Sequence, residues 1–181
     1  MAYSFEKHLH NYACWTAARA VQRNFTNTSY IIRAIEASDL MKLESLKINS
    51  DEEYDKFHRI CCNQLIDSFK KDCNIDATYG RAAKIVAIYL KTAVIVRYSG
   101  EGKLADVAHP PIDRILLTNL RKKFKKVIEI PDEINWTKLN ENEYFALIGE
   151  LKKLSFEKFW QLEEFWSAAD EKTLSASTKI S

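Results

Sequence analysis

Two residues of this sequence, Lys84 and Asp113, have side chains that together can cleave a glycosidic bond. Lys84 lies near the start of an apolar helical segment, where burial disfavours the ammonium form and lowers the pKa of the amine. A partly neutral amine can act as a nucleophile on a sugar carbon. Asp113 follows Pro110 and Pro111 at the start of another helix, where free backbone N–H groups stabilise a carboxylate. Such a carboxylate can stabilise the positive charge that develops on the sugar.

A structural explanation of the two residues is also open. A lysine near a helix start commonly lays its stem along the surface and keeps its charge in water. An aspartate after a proline commonly caps a helix. The order of the two residues, together with the basic run that follows Asp113, keeps the chemical explanation open beside the structural one. Lys91 is a second candidate for the nucleophile, because the sequence does not define the register of the turn before Lys84.

The basic run, residues 121–126, is the densest cluster of cations in the chain. Five of its six residues are Lys or Arg, whereas the whole chain has 27 basic and 25 acidic residues and a net charge of +2. Clustered cations bind phosphate groups through counterion release and do not read base sequence. The alternative is a solvated helix end whose lysines interact with the helix dipole. The candidate DNA-binding cations are Arg81, Arg114, Arg121, Lys122 and Lys123.

The elements that position these residues are predicted to be almost entirely helical. The chain has only 4 Gly and 3 Pro, which argues against a β-rich fold with many tight turns. The segment 78–97 is apolar on nearly all its faces, which is typical of a central helix. For its β-branched end, 93–97, a short strand is the alternative to a helix. The predicted helices are 5–23, 28–37, 40–46, one that Ser50 caps, 78–97, 113–124, 141–154 and 156–169.

In its central part, about 76–126, the sequence resembles the helix-hairpin-helix DNA glycosylase superfamily. The resemblance rests on the order of a turn containing Gly80, the lysine of GRAAK, a buried helix, and Pro-Ile-Asp at the next helix start. It implies an all-α, two-lobed fold with the hairpin near residues 74–84. It also implies a protein that binds double-stranded DNA, extrudes a modified base and cuts its glycosidic bond. Members with the lysine also cleave the strand by β-elimination through a Schiff base.

Two features of this segment depart from the common pattern of the superfamily. Lys84 and Asp113 are 29 residues apart, a longer connection that is more similar to the archaeal 8-oxoguanine glycosylases and implies an oxidised purine as the substrate. The usual hairpin has two glycines, whereas this chain offers Gly80 alone for a close backbone approach to a phosphate. Whether such an enzyme is monofunctional or also an AP lyase stays open.

The resemblance gives the aromatic residues near the C-terminus a role as a pocket for an extruded base. Such a base is held by stacking on aromatic faces and by hydrogen bonds to its edges. Trp160 and Trp166 can stack, and Gln161 can both donate to a purine edge and accept from it. Trp15, on the first helix, belongs to a similar mixture of aromatic and polar side chains. The alternative is that all of these side chains belong to the core.

Composition narrows the class of protein further. The four cysteines form no CxxC pair, so we expect neither a disulfide framework nor a metal site. A reducing cytoplasm fits this pattern. In a prokaryote, a protein that acts on DNA would be associated with the nucleoid there. The longest apolar stretch, 85–96, is too short to span a bilayer. We expect a monomer without a cofactor, with one domain over 1–170 and a flexible tail over 171–181. The rival hypotheses are a non-catalytic helical module that binds nucleic acid or protein, and a helical scaffold.

Overall fold

The computed structural model describes residues 3–167, and within that range it contains helices and no β-strand. The predicted all-α class is therefore confirmed. Along the chain lie α1 (Phe5–Val21), α2 (Thr28–Glu36), α3 (Asp51–Cys73), α4 (Tyr79–Leu90), α5 (Lys103–Val107), α6 (Arg114–Phe124) and α7 (Glu141–Lys152). Short 3-10 helices occupy Asp39–Ser45, Trp136–Lys138 and Phe159–Phe165, and a π-helical turn occupies Lys91–Val96. None of the helices in this part of the chain combines the length and the apolar character that crossing a bilayer requires.

Polar side chains define where the long helices begin. Each accepts a hydrogen bond from a backbone N–H of the first turn, which has no carbonyl partner inside its own helix. The predicted caps at Asn27 and Ser50 are confirmed. Asp113 caps α6 in the same way. Asn140 and Glu143 form a reciprocal capping box at the start of α7.

Helix α4 lies at the centre of the described chain. Ten of its 12 residues are buried, including Ala82 and Ala83, whose small side chains allow neighbouring helices to approach closely. It packs against α1 and α3, and also against α7 and the Trp136–Lys138 turn. An apolar surface on nearly every face explains this central position, which the sequence predicted. The one lysine buried in this helix, Lys84, therefore lies inside the core and not on the surface.

The segment 78–97, predicted as one helix with a short strand over 93–97 as the alternative, is helical through residue 96, because a π-helical turn at Lys91–Val96 continues α4. No strand occurs within residues 3–167. The segment between this helix and the helix predicted over 113–124 includes the short helix α5.

The C-terminal region also differs from the predicted α-helix over 156–169. Residues 155–158 are not helical, and a tighter 3-10 helix follows at Phe159–Phe165. This segment crosses α6 and is held there by side-chain contacts, so its path is set by tertiary packing. The predicted tail, 171–181, lies outside the described residues.

The predicted hairpin near residues 74–84 is not confirmed. Helix α3 ends at Cys73, the next residue, Asn74, turns the chain with a left-handed backbone (φ 51°), and residues 74–78 lead directly into α4. The buried apolar residues of the described chain form one continuous cluster. The division into two lobes stays a prediction.

Gly80 serves the protein's own backbone. Its N–H donates to the carbonyl of Leu139 (3.0 Å), and a Cβ at Gly80 would lie 1.9 Å from the carbonyl oxygen of Trp136. The hydroxyl of Thr78 donates to the carbonyl of Thr137 (2.6 Å), so the first turn of α4 holds residues 136–139 at two points. The N–H of Gly80 is thus used within the protein and the residue is buried, and a close approach of its backbone to a phosphate stays a prediction.

Replacing Gly80 by alanine should destabilise the protein. The new Cβ would overlap backbone that cannot rotate away, so we expect the free energy of unfolding to fall by about 1–3 kcal/mol. Urea unfolding measures this change. Gly149→Ala is the matched control, because that glycine is exposed within α7 and its Cβ would meet no atom within 4 Å. Alanine there should stabilise the protein by about 0.5–1 kcal/mol. Equal effects of the two variants would contradict the close approach at Gly80.

Candidate active site

The structure brings Lys84 and Asp113 together. The Nζ atom of Lys84 lies 3.0 Å from Oδ2 of Asp113, and their side chains are only 9% and 16% exposed. Lys84 projects from the second turn of α4, and Asp113 is the residue that caps α6. The two residues that sequence reasoning singled out as a chemical pair are thus in direct contact, within a largely buried setting.

Three donors hold the carboxylate of Asp113. Its Oδ1 accepts the backbone N–H of Leu116 (3.0 Å), which is the capping bond of α6. Its Oδ2 accepts from Lys84 and also from the indole N–H of Trp166 (2.8 Å). Burial favours the protonated acid, but these donors and the charge of Lys84 together hold the pKa of Asp113 below its ordinary value. The group is therefore a fixed anion at neutral pH.

The environment of Lys84 has the opposite effect on its own charge. Burial lowers the pKa of the amine, and the neighbouring carboxylate of Asp113 offsets that change only in part. The ring of Trp136 covers the amine, with Nζ 4.5 Å from the ring centre. Trp136 belongs to the segment that Thr78 and Gly80 hold against α4. The site thus disfavours the ammonium form, which is the requirement for a lysine nucleophile.

A buried histidine anchors the turn that leads to Asp113. The backbone N–H of His109 donates to the hydroxyl of Tyr54 (3.2 Å), and its Nδ1 lies 3.2 Å from the hydroxyl of Tyr144. Its Nε2 lies 3.1 Å from Oδ1 of Asp55. Burial lowers the pKa of His109, with Asp55 opposing that change, so the ring is neutral at pH 7. Because two prolines follow His109 and restrict the backbone, this anchor also restricts where Asp113 can lie.

A second lysine and carboxylate lie beside the first pair. Lys91, the first residue of the π-helical turn, forms an ion pair with Glu163. Burial raises the pKa of Glu163, and the nearby anion of Asp113 adds to that effect, while Lys91 and Lys84 oppose it. The site therefore contains two lysines and two carboxyl groups. The pKa of Asp113 is lowered, and the pKa of Glu163 is raised.

Residues 159–166, which we call the C-terminal segment, cover this site. The amide of Asn119 on α6 donates to the carbonyl of Phe165 (2.9 Å), and the Phe165 ring packs edge-on against Phe124 (ring centres 5.2 Å apart). Glu163 and Trp166 of the same segment contact the two lysine–carboxylate pairs. Two grooves of the described chain, with volumes of about 1130 and 570 Å³, are lined by other residues. Access for a large ligand to Lys84 therefore requires the C-terminal segment to move.

The four predicted base-pocket residues are not all brought together. Trp166, which is 46% exposed, contacts Asp113 and so belongs to the site. Trp160 packs instead beneath Gly100, where an added Cβ would lie 2.6 Å from its ring. The side chain of Gln161 accepts the backbone N–H of Lys158 (3.2 Å), so it supports its own 3-10 helix. Trp15 is half exposed on α1 and stacks on Tyr12.

Two of the predicted DNA-binding arginines are engaged by the protein itself. The guanidinium of Arg81 donates to the carbonyl of Asn24 (3.3 Å) and lies over the ring of Phe25. The guanidinium of Arg121 donates to the carbonyls of residues 131 and 132 and pairs with the Asp132 carboxylate (3.2 Å). Both side chains are partly buried by these contacts, which reduces what they can offer to a phosphate.

The remaining predicted cations are more accessible. Arg114, Lys122 and Lys123 are exposed, although the Nζ of Lys123 also lies 4.5 Å from the ring centre of Phe165. Helix α6 has 11 residues, so its basic C-terminal end lies about 16 Å from Asp113 at its start. Among the predicted cations, Arg114 is the one that directly follows Asp113 in the sequence.

Sequence reasoning missed two residues of the site, Trp136 and Glu163. Trp136 lies 52 residues from Lys84, in a segment with no recognisable motif, and only the close packing at Gly80 brings it there. Glu163 lies between Gln161 and Trp166, in the aromatic stretch that the sequence predicted as a base pocket. An acidic residue in such an apolar stretch is the signal that could have identified it.

Comparison of the chain with protein-family models, with curated proteins and with solved structures found no match. The site is therefore interpreted from its own geometry.

Replacing Asp113 by asparagine should show how strongly the buried pair is coupled. Asparagine caps a helix as well as aspartate does, so the substitution removes the charge and keeps the cap. The Lys84 ammonium then lacks its counter-charge, and we expect the free energy of unfolding at pH 7 to fall by about 3 kcal/mol. The double variant Lys84→Met/Asp113→Asn leaves no unpaired charge and should recover much of that loss in the same urea titration.

Asp132→Asn provides the control for an exposed pair. Asp132 is 89% exposed in its contact with Arg121, so its loss should cost no more than about 1 kcal/mol. If Asp113→Asn were as mild as Asp132→Asn, or if the double variant were no more stable than Asp113→Asn alone, the buried pair would not have the coupling that its geometry indicates.

Proposed function

We propose that this protein is a DNA glycosylase that excises a damaged or modified base, with Lys84 as the nucleophile and Asp113 as the electrostatic partner. The observation that carries the proposal is the 3.0 Å contact between Lys84 Nζ and Asp113 Oδ2 in a largely buried setting. The sequence resemblance implies these two residues for these two roles, and they are 29 residues apart in the chain. Their contact is what such a mechanism requires.

The proposed chemistry starts from the neutral amine of Lys84. Its lone pair attacks the sugar carbon C1′, the bond from C1′ to the base breaks, and the bonding electrons leave with the base. The ionised Asp113 stabilises the positive charge that develops on the sugar. The lysine–sugar adduct can then rearrange to a Schiff base, from which β-elimination cleaves the strand. Burial supports the first step, because it lowers the pKa of Lys84 and so raises the fraction of neutral amine.

The finer parts of the proposal follow from the resemblance. The substrate is double-stranded DNA with one modified base, an oxidised purine being the first choice. Trp166, which adjoins Asp113, is the residue available to stack on an extruded base once the C-terminal segment moves. We also propose that the protein acts as a monomer without a cofactor in the cytoplasm, at the nucleoid if the source is prokaryotic.

Borohydride trapping tests the proposed lysine chemistry. The protein is incubated with duplexes that each contain one modified base or one abasic site, and borohydride reduces any Schiff base to a stable covalent adduct. We expect the wild type to form an adduct and Lys84→Met to lose it. Lys153→Met, which removes an exposed lysine directly after α7, should leave the adduct unchanged.

Lys91→Met is included because Lys91 is the other amine at the site. An adduct that persists in Lys84→Met but is lost in Lys91→Met would transfer the nucleophilic role to Lys91. The absence of both an adduct and an alkali-labile site with every duplex, under conditions in which the wild type is folded, would refute the glycosylase proposal.

A non-catalytic nucleic-acid-binding module is the second candidate. It is favoured by the exposed lysines of the basic run, about one helix length from Asp113, and by the C-terminal segment that covers Lys84. In this case the two lysine–carboxylate pairs, Lys84–Asp113 and Lys91–Glu163, would be structural. A module of this kind binds undamaged and abasic duplexes equally, with an affinity that falls steeply as salt is added. A glycosylase binds the abasic duplex more tightly.

A further inference from the structure

The C-terminal segment brings a second carboxylate into the proposed active site. Glu163 is 17% exposed, and its carboxylate contacts Lys91. Three residues later, the indole of Trp166 binds the same Asp113 oxygen that accepts from Lys84. The segment is held on α6 by the bond between Asn119 and the carbonyl of Phe165. These contacts place Glu163 and Asp113 at one site, each beside one of the two lysines.

The two carboxylates are in different environments. Asp113 accepts two hydrogen bonds in addition to that from Lys84, which favours its anionic form. The charged groups that face Glu163 are Lys91 of the π-helical turn, Lys84 of α4 and Asp113 at the start of α6. Burial and the Asp113 anion favour the protonated form of Glu163, and the resulting pKa is raised in spite of the lysines. Two carboxyl groups with oppositely shifted pKa values are the usual arrangement of an acid and an anion that act on one bond.

We propose that Glu163 is the general acid that protonates the departing base. The inference rests on the proposed glycosylase function, and it supplies the proton that the departure of the base requires. Excision of a base leaves the bonding electrons on a base nitrogen or its conjugated oxygen, and protonation there makes the base a better leaving group.

The charges balance through this step. Before it, Lys84 is neutral, Glu163 is protonated, Asp113 is an anion and Lys91 is a cation. The Lys84 nitrogen forms a bond to C1′ and becomes a secondary ammonium, while the Glu163 proton moves to the base. Afterwards two ammonium groups face two carboxylates, each cation beside the anion that it contacts in the free protein.

A structural role for Glu163 makes a different prediction from an acid role. If the ion pair with Lys91 only held the C-terminal segment in place, its loss would impair every reaction at the site. Glu163, as the proposed acid, acts on the departing base. A duplex with a preformed abasic site has no base to lose, and the water that leaves when its aldehyde forms the Schiff base can take its proton from solvent.

The test therefore compares two reactions in Glu163→Gln. On the first duplex of the panel that the wild type cleaves, beginning with 8-oxoguanine, single-turnover base excision should fall about 10²–10⁴-fold. Borohydride trapping on a preformed abasic duplex should stay within about twofold of the wild type, since the proton for the departing water can come from solvent. The exposed neighbour Glu164 provides the matched control, and Glu164→Gln should leave both reactions unchanged.

A pH profile provides an independent readout. Wild-type excision should decline as pH rises through the pKa of Glu163, which burial raises from its ordinary value. Lys91→Met removes a cation that lowers this pKa, so the decline should move to higher pH. In Glu163→Gln the decline should be absent.

Each other outcome overturns a defined part of the account. Unchanged excision in Glu163→Gln, or an equal loss of excision and abasic trapping, would overturn the acid role and leave the glycosylase intact. A wild type that traps the abasic duplex but excises no base from any duplex would overturn the acid role and the glycosylase proposal together, and would leave only lyase chemistry at the lysine. A wild type that neither excises nor traps would overturn the proposed function and this inference together.

Discussion

The burial of one lysine beside one aspartate is the constraint on which the rest of this structure depends. Removing a charge from water is costly, and a buried pair recovers that cost only when the remaining donors and acceptors are also satisfied. Asp113 meets this requirement through a backbone N–H and an indole N–H in addition to Lys84. Lys84 meets it only in part, because burial removes more of its hydration than the carboxylate of Asp113 and the face of the Trp136 ring replace. The pair therefore keeps the anion stable and leaves the amine destabilised as a cation.

The surrounding elements can be understood as supports for this pair. The buried His109 and two prolines restrict the turn before Asp113, while Gly80 allows residues 136–139 to lie against α4 and so places Trp136 over Lys84. The C-terminal segment completes the enclosure through Trp166 and Glu163. In the proposed mechanism, the same enclosure that lowers the pKa of Lys84 must open to admit an extruded base.

The features that depend on residues close together in the sequence were predicted correctly. The apolar faces of α4 predicted its central position, and the prolines before Asp113 predicted a carboxylate at a helix start. The role of Gly80 was not predictable, because its partner backbone lies more than 50 residues away in sequence. The 3-10 helix at Phe159–Phe165 was predicted as an α-helix, since aromatic spacing alone does not separate the two and contacts with α6 decide.

The pKa of the Lys84 amine tests the central claim most directly. It can be measured from the pH dependence of the side-chain NMR shifts of a lysine-labelled protein, with Lys84→Met identifying the signal. The account predicts a pKa below the ordinary lysine value of about 10.4, because burial outweighs the attraction of the Asp113 carboxylate. It predicts a further decrease in Asp113→Asn, because that attraction is then lost. A Lys84 that titrates at or above the ordinary value would contradict the account, since the amine would then be a stable ammonium whose role is to hold α6 against α4.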